Sequence, residues 1–295
     1  MDPLQDVLSL LGTTSYLSAG MVGGGSWAVS FPPPAGVKFN AVRRGRCRLS
    51  VDGVDGTIEL TAGDCFLLTQ PRAFRLSSDP DATAVPAEQI FAGGGVARAG
   101  TGEDVDLIGG GFTFGDRARA LLLDALPPVI LSRAGSPEAT AVSWAVERIG
   151  DELNDRRLGA GLVVEHLAVV MLIQILRLQP VTPNGWLAGL ADPVAGPALR
   201  AVHADPAHPW TVAELARVAA VSRSTMAARF REVVGQGPYE YLTGWRIELA
   251  ANRLRHDRDT VAVIARDIGY GSESALSVAF KRAMGVSPAA YRRAA

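Results

Sequence analysis

The amino-acid sequence predicts a multidomain α+β protein: an N-terminal β-barrel or jelly roll with linker helices, then an all-α domain with two helix-turn-helix units. Two observations support this prediction. The N-terminal part contains many short apolar segments separated by Gly and Pro, which is typical of small barrels. Near the C-terminus, segment 211–241 recurs as 260–291, which indicates a duplicated helical motif. The predicted domains are 1–130, 131–190 and 191–295.

The charge of the chain is unevenly distributed. All 295 residues together have a formal net charge of only −1. From Ala195 onward, 14 Lys and Arg stand against 9 Asp and Glu, a net charge of +5, whereas the preceding 194 residues have −6. Because Lys and Arg neutralise phosphates, this asymmetry predicts that the repeated domain contacts nucleic acid.

Six short segments of the N-terminal domain predict strands. In the clearest of them, Cys47 and Leu49 alternate with Arg46 and Arg48, which predicts one buried and one exposed face. The arginine face is either solvated or directed at an anionic ligand or DNA. The predicted strands are 27–31, 42–51, 57–60, 65–69, 89–91 and 106–113.

The barrel is predicted to bind a small ligand or to serve only as a dimerisation platform. Metal-dependent enzymes on such barrels hold iron or manganese with clustered His and carboxylates, and all four His of this chain lie beyond residue 165. The sequence therefore predicts no metal, no cofactor and no catalytic residue, with an enzyme as the weaker alternative. The candidate pocket residues, for which ordinary core packing is the alternative, are Phe39, Val42, Cys47, Leu49, Phe66 and Leu67.

Only two cysteines occur, Cys47 and Cys65, which fits a reducing cytoplasm better than a disulfide framework. A redox pair in a redox-sensing regulator is one hypothesis, and two small buried apolar residues are the other. The N-terminus lacks the basic region of a signal peptide. The apolar run 162–178 is short and contains polar residues, so we expect no membrane span and a cytoplasmic protein.

Two helices are predicted between the domains, at 137–156 and 162–178. The second is apolar nearly all round, so it must be buried against another surface. Pro180 and Pro183 mark the linker that follows.

The first copy of the repeat predicts a helix, a tight turn and a second helix, which together form a helix-turn-helix. Thr211 and Glu214 have the spacing of a capping box. Ser222 can cap the second helix, whose apolar stripe contains Met226 and Phe230.

The second copy has the same plan. Ser272 is its predicted cap, and Leu276 and Phe280 belong to its stripe. The small residue Ala216 of the first copy recurs as Ala265, as close crossing of the two helices would require.

Side chains that point away from the stripes, and those at the helix starts, are the candidates for DNA contact. On the first helix they are small, which predicts contacts with thymine methyls, serine hydrogen bonds and shape readout. Lys281 and Arg282 are expected to hold phosphates. The full candidate set is Ser222, Arg223, Ser224, Thr225, Ala227, Ala228, Arg231, Ser272, Glu273, Ser274, Ser277, Val278, Lys281 and Arg282.

The run 269–274, with Phe280, Gly285, Pro288 and Tyr291, resembles the signature of the AraC/XylS family of bacterial transcription regulators. The resemblance implies two helix-turn-helix units held apart by a shared helix, here 239–255. At 1.5 Å per residue that helix is on the order of 25 Å long. It could set two recognition helices in successive major grooves, about 34 Å apart.

The resemblance also implies roles for particular residues. It implies base contacts from the start and middle of the first recognition helix. Many family members have a polar residue where Val278 stands, so weaker recognition of the DNA sequence is expected from the second helix. The turn at Gly63 and Asp64, Pro71 and the opening segment 2–8 resemble the cupin-like sensor domain of one branch of the family. In relatives, a helix comparable to 162–178 mediates dimerisation.

The sequence thus predicts a DNA-binding regulator, either an activator or a repressor, in which a ligand changes how the sensor domains hold the DNA-binding domains. Expected partners are double-stranded DNA, a second copy of the chain in a homodimer, a small-molecule effector and RNA polymerase, with no membrane. An architectural DNA binder without a ligand is an alternative. A methyl-accepting DNA-repair regulator is disfavoured because two cysteines cannot supply both a reactive thiol and a four-Cys zinc site.

Overall fold

The computed structural model describes residues 3–10, 14–93, 95–113, 122–123, 126–135, 139–155, 157–177 and 185–294. The chain forms two compact units. One is a barrel unit that contains the strands and three helices. The other is a helical unit formed by both ends of the chain together with an internal segment that includes Leu122 and Leu123, and it contains the N-terminal helix α1 (Pro3–Leu10).

The barrel unit is built from two sheets that face each other across an apolar core. The six-stranded sheet has the order β11-β6-β3-β10-β1-β9, and the five-stranded sheet has the order β5-β4-β7-β2-β8. This jelly-roll-like arrangement confirms the predicted fold class. The strands are β1 (Thr14–Gly24), β2 (Ala28–Phe31), β3 (Val37–Arg44), β4 (Arg46–Val51), β5 (Ile58–Thr61), β6 (Cys65–Leu68), β7 (Phe74–Ser77), β8 (Ala84–Pro86), β9 (Ala97–Gly100), β10 (Val105–Thr113) and β11 (Val129–Ser132).

The predicted strand 42–51 is wrong as a single element. Gly45 divides it, with φ of +80° and no room for a Cβ, which would lie 2.1 Å from the carbonyl oxygen of Asp104. β3 belongs to one sheet and β4 to the other, so Gly45 is the corner between the sheets. The alternation predicted within 46–51 is confirmed.

The predicted strand 89–91 is also wrong, because these residues form the end of helix α2 (Ala87–Phe91). Ala, Glu and Gln favour a helix here, and Ile90 and Phe91 pack on the barrel core. In contrast, β1 was not predicted, because it is rich in Gly and Ser. Pairing with both β10 and β9 overrides its weak intrinsic preference for a strand.

Two helices, α3 (Thr140–Asp155) and α4 (Ala160–Arg177), pack against each other and against the six-stranded sheet. The predicted burial of α4 is correct for one face, which includes Met171 and Leu172. Its other face is exposed, with Leu162 at 62% and Val163 at 42%. α4 is the helix among the described residues that is long and apolar enough to cross a membrane, but a core helix meets the same criteria.

The helical unit is organised around one long helix. Its elements after residue 185 are α5 (Trp186–Ala191), α6 (Ala195–Ala204), α7 (Val212–Val218), α8 (Arg223–Val234), α9 (Pro238–His256), α10 (Val261–Asp267), α11 (Glu273–Met284) and α12 (Pro288–Ala294). The first half of α9 buries Tyr241 against Phe230 of α8. The second half buries Ile247 and Leu254 against α10 and α11.

A chain of hydrogen bonds joins four helices of this unit. The indole N–H of Trp186 donates to the hydroxyl oxygen of Tyr241 at 2.6 Å, and that hydroxyl lies 2.7 Å from Nε2 of His203. Nδ1 of His203 lies 3.2 Å from a carboxylate oxygen of Asp6 in α1. His203 therefore bridges Tyr241 and Asp6 through its two ring nitrogens. This contact ties the first helix of the chain to the helical unit.

Replacing Tyr241 with Phe should lower the free energy of unfolding of this unit by about 1–3 kcal/mol, because the Trp186 N–H and His203 Nε2 lose their buried partner. Urea unfolding followed by tryptophan fluorescence measures the change. The matched control is Tyr239→Phe, because Tyr239 is 72% exposed. Equal losses from the two substitutions would contradict the assigned network.

Candidate nucleic-acid interface

The first helix-turn-helix, formed by α7 and α8, has the predicted caps. The Thr211 hydroxyl accepts from the Glu214 backbone N–H at 3.2 Å, and the Glu214 carboxylate accepts from the Thr211 N–H at 2.9 Å. Ser222 accepts from the backbone N–H of Thr225 at 3.1 Å. Gly235, in the left-handed conformation, ends α8. These local bonds fix where α8 starts and stops.

The second helix-turn-helix, formed by α10 and α11, repeats this construction. Thr260 accepts from the N–H of Val263 at 3.3 Å, and Ser272 accepts from the N–H of Ala275 at 3.1 Å. Gly285 ends α11 in the same left-handed conformation.

The turns of the two copies close in the same way. The N–H of Val221 donates to the carbonyl of Ala216 at 2.9 Å, and the N–H of Tyr270 donates to the carbonyl of Ala265 at 2.8 Å. Both alanines are almost completely buried. A larger side chain at either position would push the two helices of the motif apart, which explains the recurring small residue.

The anchoring of the two recognition helices is also repeated. Phe230 of α8 meets Tyr241 edge to face, with ring centroids 5.9 Å apart. Phe280 of α11 meets Tyr291 in the same manner at 5.3 Å. The sequence repeat is therefore also a repeat of packing. Each recognition helix is anchored by an equivalent aromatic contact.

The predicted DNA-binding residues form two outward surfaces, one on α8 with its cap and one on α11 with its cap. Twelve of the fourteen are exposed, and Ala227 and Ser277 are half-buried. Arg223, Arg231 and Arg282 make no ion pair with any residue that the structure describes. Their charges are available to an outside anion.

Arg229 differs from the other arginines of α8. Its guanidinium contacts Asp192 at 2.8 Å and Glu232 at 3.0 Å. Burial alone would raise the pKa of Asp192, but the N–H groups of Ala195 and Val194 and the Arg229 guanidinium together hold that pKa below its usual range. Asp192 is therefore anionic, and it fixes Arg229 while capping α6. This geometry disfavours a DNA-contact role for Arg229.

A groove of about 1380 Å³ separates the two recognition helices. Ser274, Val278 and Arg282 of α11 line it, together with Tyr239 and Thr243 of α9. The two α9 residues were not predicted as site residues. An exposed aromatic in the first turn of the shared helix is the signal that could have identified them.

The barrel contains a separate cavity of about 270 Å³. None of the six predicted pocket residues lines it. Val42, Cys47, Leu49 and Phe66 belong to the packed core of the barrel. Phe39 and Leu67 pair with each other across β3 and β6, on the other face of the sheet. The cavity is instead lined from β3 by Lys38 and Asn40, which lie on either side of Phe39 in the sequence and on the opposite face of the strand.

The metal and redox hypotheses both concern side chains of the barrel. In the part of the chain that the structure describes, no three His, Cys, Asp or Glu residues are grouped to hold a metal ion. Burial, aided by Asp64, raises the pKa of the Cys47 and Cys65 thiols to about 12. Both sulfurs are buried neutral thiols, so the redox hypothesis has no support from the structure.

Comparison with known proteins matches both halves of the chain. A cupin family model covers residues 2–179, and a helix-turn-helix domain model covers residues 215–294. A putative AraC-like transcription regulator of Streptomyces lividans is 58% identical over 99% of this chain and 98% of its own length, and another from Streptomyces antibioticus is 59% identical over 99% of each. The chain belongs to the AraC/XylS family.

AraC/XylS membership confirms the predicted resemblance and makes this chain a DNA-binding transcription regulator. Two solved structures are also similar. The DNA-binding domain of AdpA in complex with a target DNA is 35% identical over 35% of this chain and 92% of that chain, with a TM-score of 0.33. ToxT from Vibrio cholerae is 17% identical over 97% of this chain and 98% of its own, with a TM-score of 0.38.

The two turns of this AraC/XylS domain should respond in opposite ways to exchanging Ala and Gly. Gly269 has φ of +84°, and a Cβ there would lie 2.3 Å from the Ala207 carbonyl oxygen. Ala220, at the equivalent place, has φ of +54°. Gly269→Ala should destabilise by more than about 1–2 kcal/mol. Ala220→Gly should stabilise by up to about 1 kcal/mol, because relief of strain exceeds the entropy cost. Thermal unfolding tests both predictions. A stabilising effect of Gly269→Ala would refute the left-handed turn geometry at this position.

Proposed function

We propose that α8 and α11 bind successive major grooves on one face of an operator. The main support is the duplicated geometry: both helices have the same cap, the same C-terminal glycine and the same edge-to-face anchor. α9 joins them with 19 residues, a length of about 28 Å. Successive major grooves lie about 34–36 Å apart. We therefore expect one protein chain to protect about two turns of DNA.

We propose that α8 and α11 contribute unequally to recognition of the DNA sequence. The first turn of α8 presents Arg223, whereas α11 presents Glu273 at the equivalent place, where a carboxylate repels phosphates. Five positions further along, α8 has Ala228 and α11 has Val278, which is 72% exposed. Either side chain can contact a thymine methyl group and neither can donate a hydrogen bond to a base, so the charge difference between Arg223 and Glu273 distinguishes the two helices. α8 should consequently contribute more of the sequence discrimination.

The barrel unit is proposed to form a homodimer through the exposed face of α4. Leu162, Val163 and Val170 are exposed apolar residues of this helix, at 62%, 42% and 39%, and the exposed His166 lies between Leu162 and Val170. Exposed apolar side chains grouped on one helix of a folded protein are a common sign of a protein interface.

The barrel cavity supports a further part of the proposal, namely that a small effector binds there and shifts the population of DNA-binding states.

Replacing Arg223 or Arg231 with Ala should reduce operator affinity by about 1–3 kcal/mol and reduce discrimination against altered operators. Ser277→Ala and Val278→Ala should have smaller effects. Selection from random DNA, followed by fluorescence anisotropy at fixed salt, measures both quantities. Arg46→Ala, which removes an exposed cation from the barrel, is the control for net charge. Equal losses from α8 and α11 would refute the asymmetry, and a footprint of one turn would refute the tandem geometry.

Introducing Glu at both Leu162 and Val170 should convert the dimer to a monomer, because two charges would be desolvated in each apolar surface. Light scattering coupled to size exclusion gives the mass. Val96→Glu is the matched control, since Val96 is 58% exposed elsewhere on the barrel unit. If the double variant keeps a dimeric mass, α4 is not the interface.

A further inference from the structure

Arg246 lies near the middle of α9, where three segments of the helical unit meet. Its Nε donates to the carbonyl of Pro206 at 2.7 Å. One terminal nitrogen of its guanidinium donates to the carbonyls of Ala207 at 3.2 Å and His208 at 3.0 Å. Hydrogen bonds from a charged group are stronger than those between neutral groups, and the rigid fork of a guanidinium suits several acceptors at once. Arg246 therefore holds these three carbonyls against α9.

The three carbonyls belong to the first helix-turn-helix. They are part of the loop 205–210 between α6 and α7, and α6 packs against both α7 and α8. Two bonds to Asp205 close the loop: its carboxylate accepts from the His208 N–H at 3.1 Å, and its carbonyl accepts from the Trp210 indole N–H at 2.9 Å. Because the loop is tied at both ends and closed on itself, we expect it to move with the first helix-turn-helix.

The turn of the second helix-turn-helix also contacts Arg246. The guanidinium carbon of Arg246 lies 5.8 Å from the centre of the Tyr270 ring, within the limit of about 6 Å for a cation–π contact. The neighbouring Gly269 lies so close to the loop 205–210 that a Cβ on it would be 2.3 Å from the carbonyl oxygen of Ala207. The arginine and the loop therefore both pack on this turn.

The turns of the two helix-turn-helix copies differ in sequence where this contact is made. Ala220 and Val221 occupy the places that Gly269 and Tyr270 occupy in the second copy. Both turns are closed by the same backbone bond, so closure of the turn requires neither the glycine nor the tyrosine. A glycine permits close approach of another backbone, and a tyrosine offers an aromatic face to a cation. Packing of the second turn on the loop and on Arg246 explains both residues.

The angle between the two helix-turn-helix copies depends on how straight α9 remains. Tyr241 packs against the first copy and Ile247 against the second. Gly244 lies between them, and glycine is among the least favourable residues in the interior of a helix. Long helices are also seldom straight. A contact made beside this stretch, such as that of Arg246, would hold the angle.

We propose that Arg246 is a positioning residue for DNA recognition. By bridging the loop 205–210 and Tyr270, it fixes the angle between the two helix-turn-helix copies, so that α8 and α11 meet DNA at a single spacing. The inference rests on the proposed binding of two successive major grooves only for its consequence on DNA.

Spin labels on the two recognition helices measure this angle without DNA. Ala228→Cys and Val278→Cys place one label on each helix at equivalent exposed positions. The native Cys47 and Cys65 are buried, so labelling is directed to the introduced cysteines. Double electron–electron resonance on the labelled full-length chain, diluted with unlabelled chain, gives the distribution of distances between the two labels.

Arg246→Met should broaden this distance distribution, because the two copies can then change their angle. Tyr270→Val introduces the residue of the first turn and should have the same effect, which provides a second variant if the first does not fold. The matched control is Arg255→Met. Arg255 is exposed on the same helix, and its guanidinium carbon lies 5.9 Å from the ring centre of Tyr291, so this contact stays within the second copy. A distribution as narrow in both variants as in the parent chain would overturn the proposal.

Operators with altered spacing test the consequence for DNA binding. Inserting one base pair between the two halves of an operator selected from random DNA shifts one half by about 3.4 Å and about 35°. The parent chain should bind this DNA about tenfold or more weakly, since one recognition helix loses base contacts. Arg246→Met should bind the unaltered operator about two- to tenfold more weakly than the parent, because the angle must then be ordered on binding. It should also discriminate less between the two spacings.

Two comparisons separate positioning from charge. Arg246→Lys keeps the positive charge but lacks the fork that bonds three carbonyls, so it should share the reduced spacing discrimination of Arg246→Met. Full spacing discrimination in Arg246→Lys would contradict the bridging role. DNA that carries one half of the operator should bind Arg246→Met and the parent equally, and a loss of affinity there would instead indicate a direct phosphate contact and refute positioning.

The outcomes distinguish this inference from the binding of two major grooves. If Arg246→Met broadens the distance distribution but the parent binds both spacings equally, the binding of two grooves fails and the positioning of the helices by Arg246 stands. If the distribution is unchanged, the positioning role fails, whatever the operators show.

Discussion

Both DNA-reading units depend on one helix, α9, because its two halves belong to two different cores. Tyr241 packs against the first recognition helix, and Ile247 and Leu254 pack against the second unit. Changing the distance between the recognition helices would therefore require breaking one of these cores. Any control of operator choice that keeps the unit folded must act on how the whole unit is presented to DNA, and not on the spacing inside it.

The sequence was sufficient to predict those features of the fold that are determined by nearby residues. Caps such as Ser222 and Ser272 bond to a backbone N–H three residues away, so spacing alone identified them. It was insufficient where distant pairing decides: β1 is a strand because two partners pair with it, and Gly45 is a corner because the chain changes sheets there. The ion pair between Arg229 and Asp192 joins residues 37 positions apart, and no local pattern marks it.

The lining of the barrel cavity was not predicted correctly, for the same reason. The sequence prediction chose the apolar residues of β3 and its neighbours, and those residues fill the core or the opposite face. The cavity is lined instead by Lys38 and Asn40, which interrupt the apolar segment 37–42 of β3. Polar side chains at alternate positions of a central strand were visible in the sequence. The identity of the residues opposite them, Gly111 and Gly109, became known only with the register between β3 and β10.

The hydrogen-bonded network of the helical unit joins segments that are far apart in the sequence. Both chain ends belong to this unit, together with an internal segment that includes Leu122 and Leu123. α1 contributes Asp6 to the network, and α5 contributes Trp186. Both bonds converge on His203 and Tyr241. A change at Asp6 or at Trp186 would consequently reach the same two buried side chains, at the N-terminal half of the helix that separates the two recognition helices.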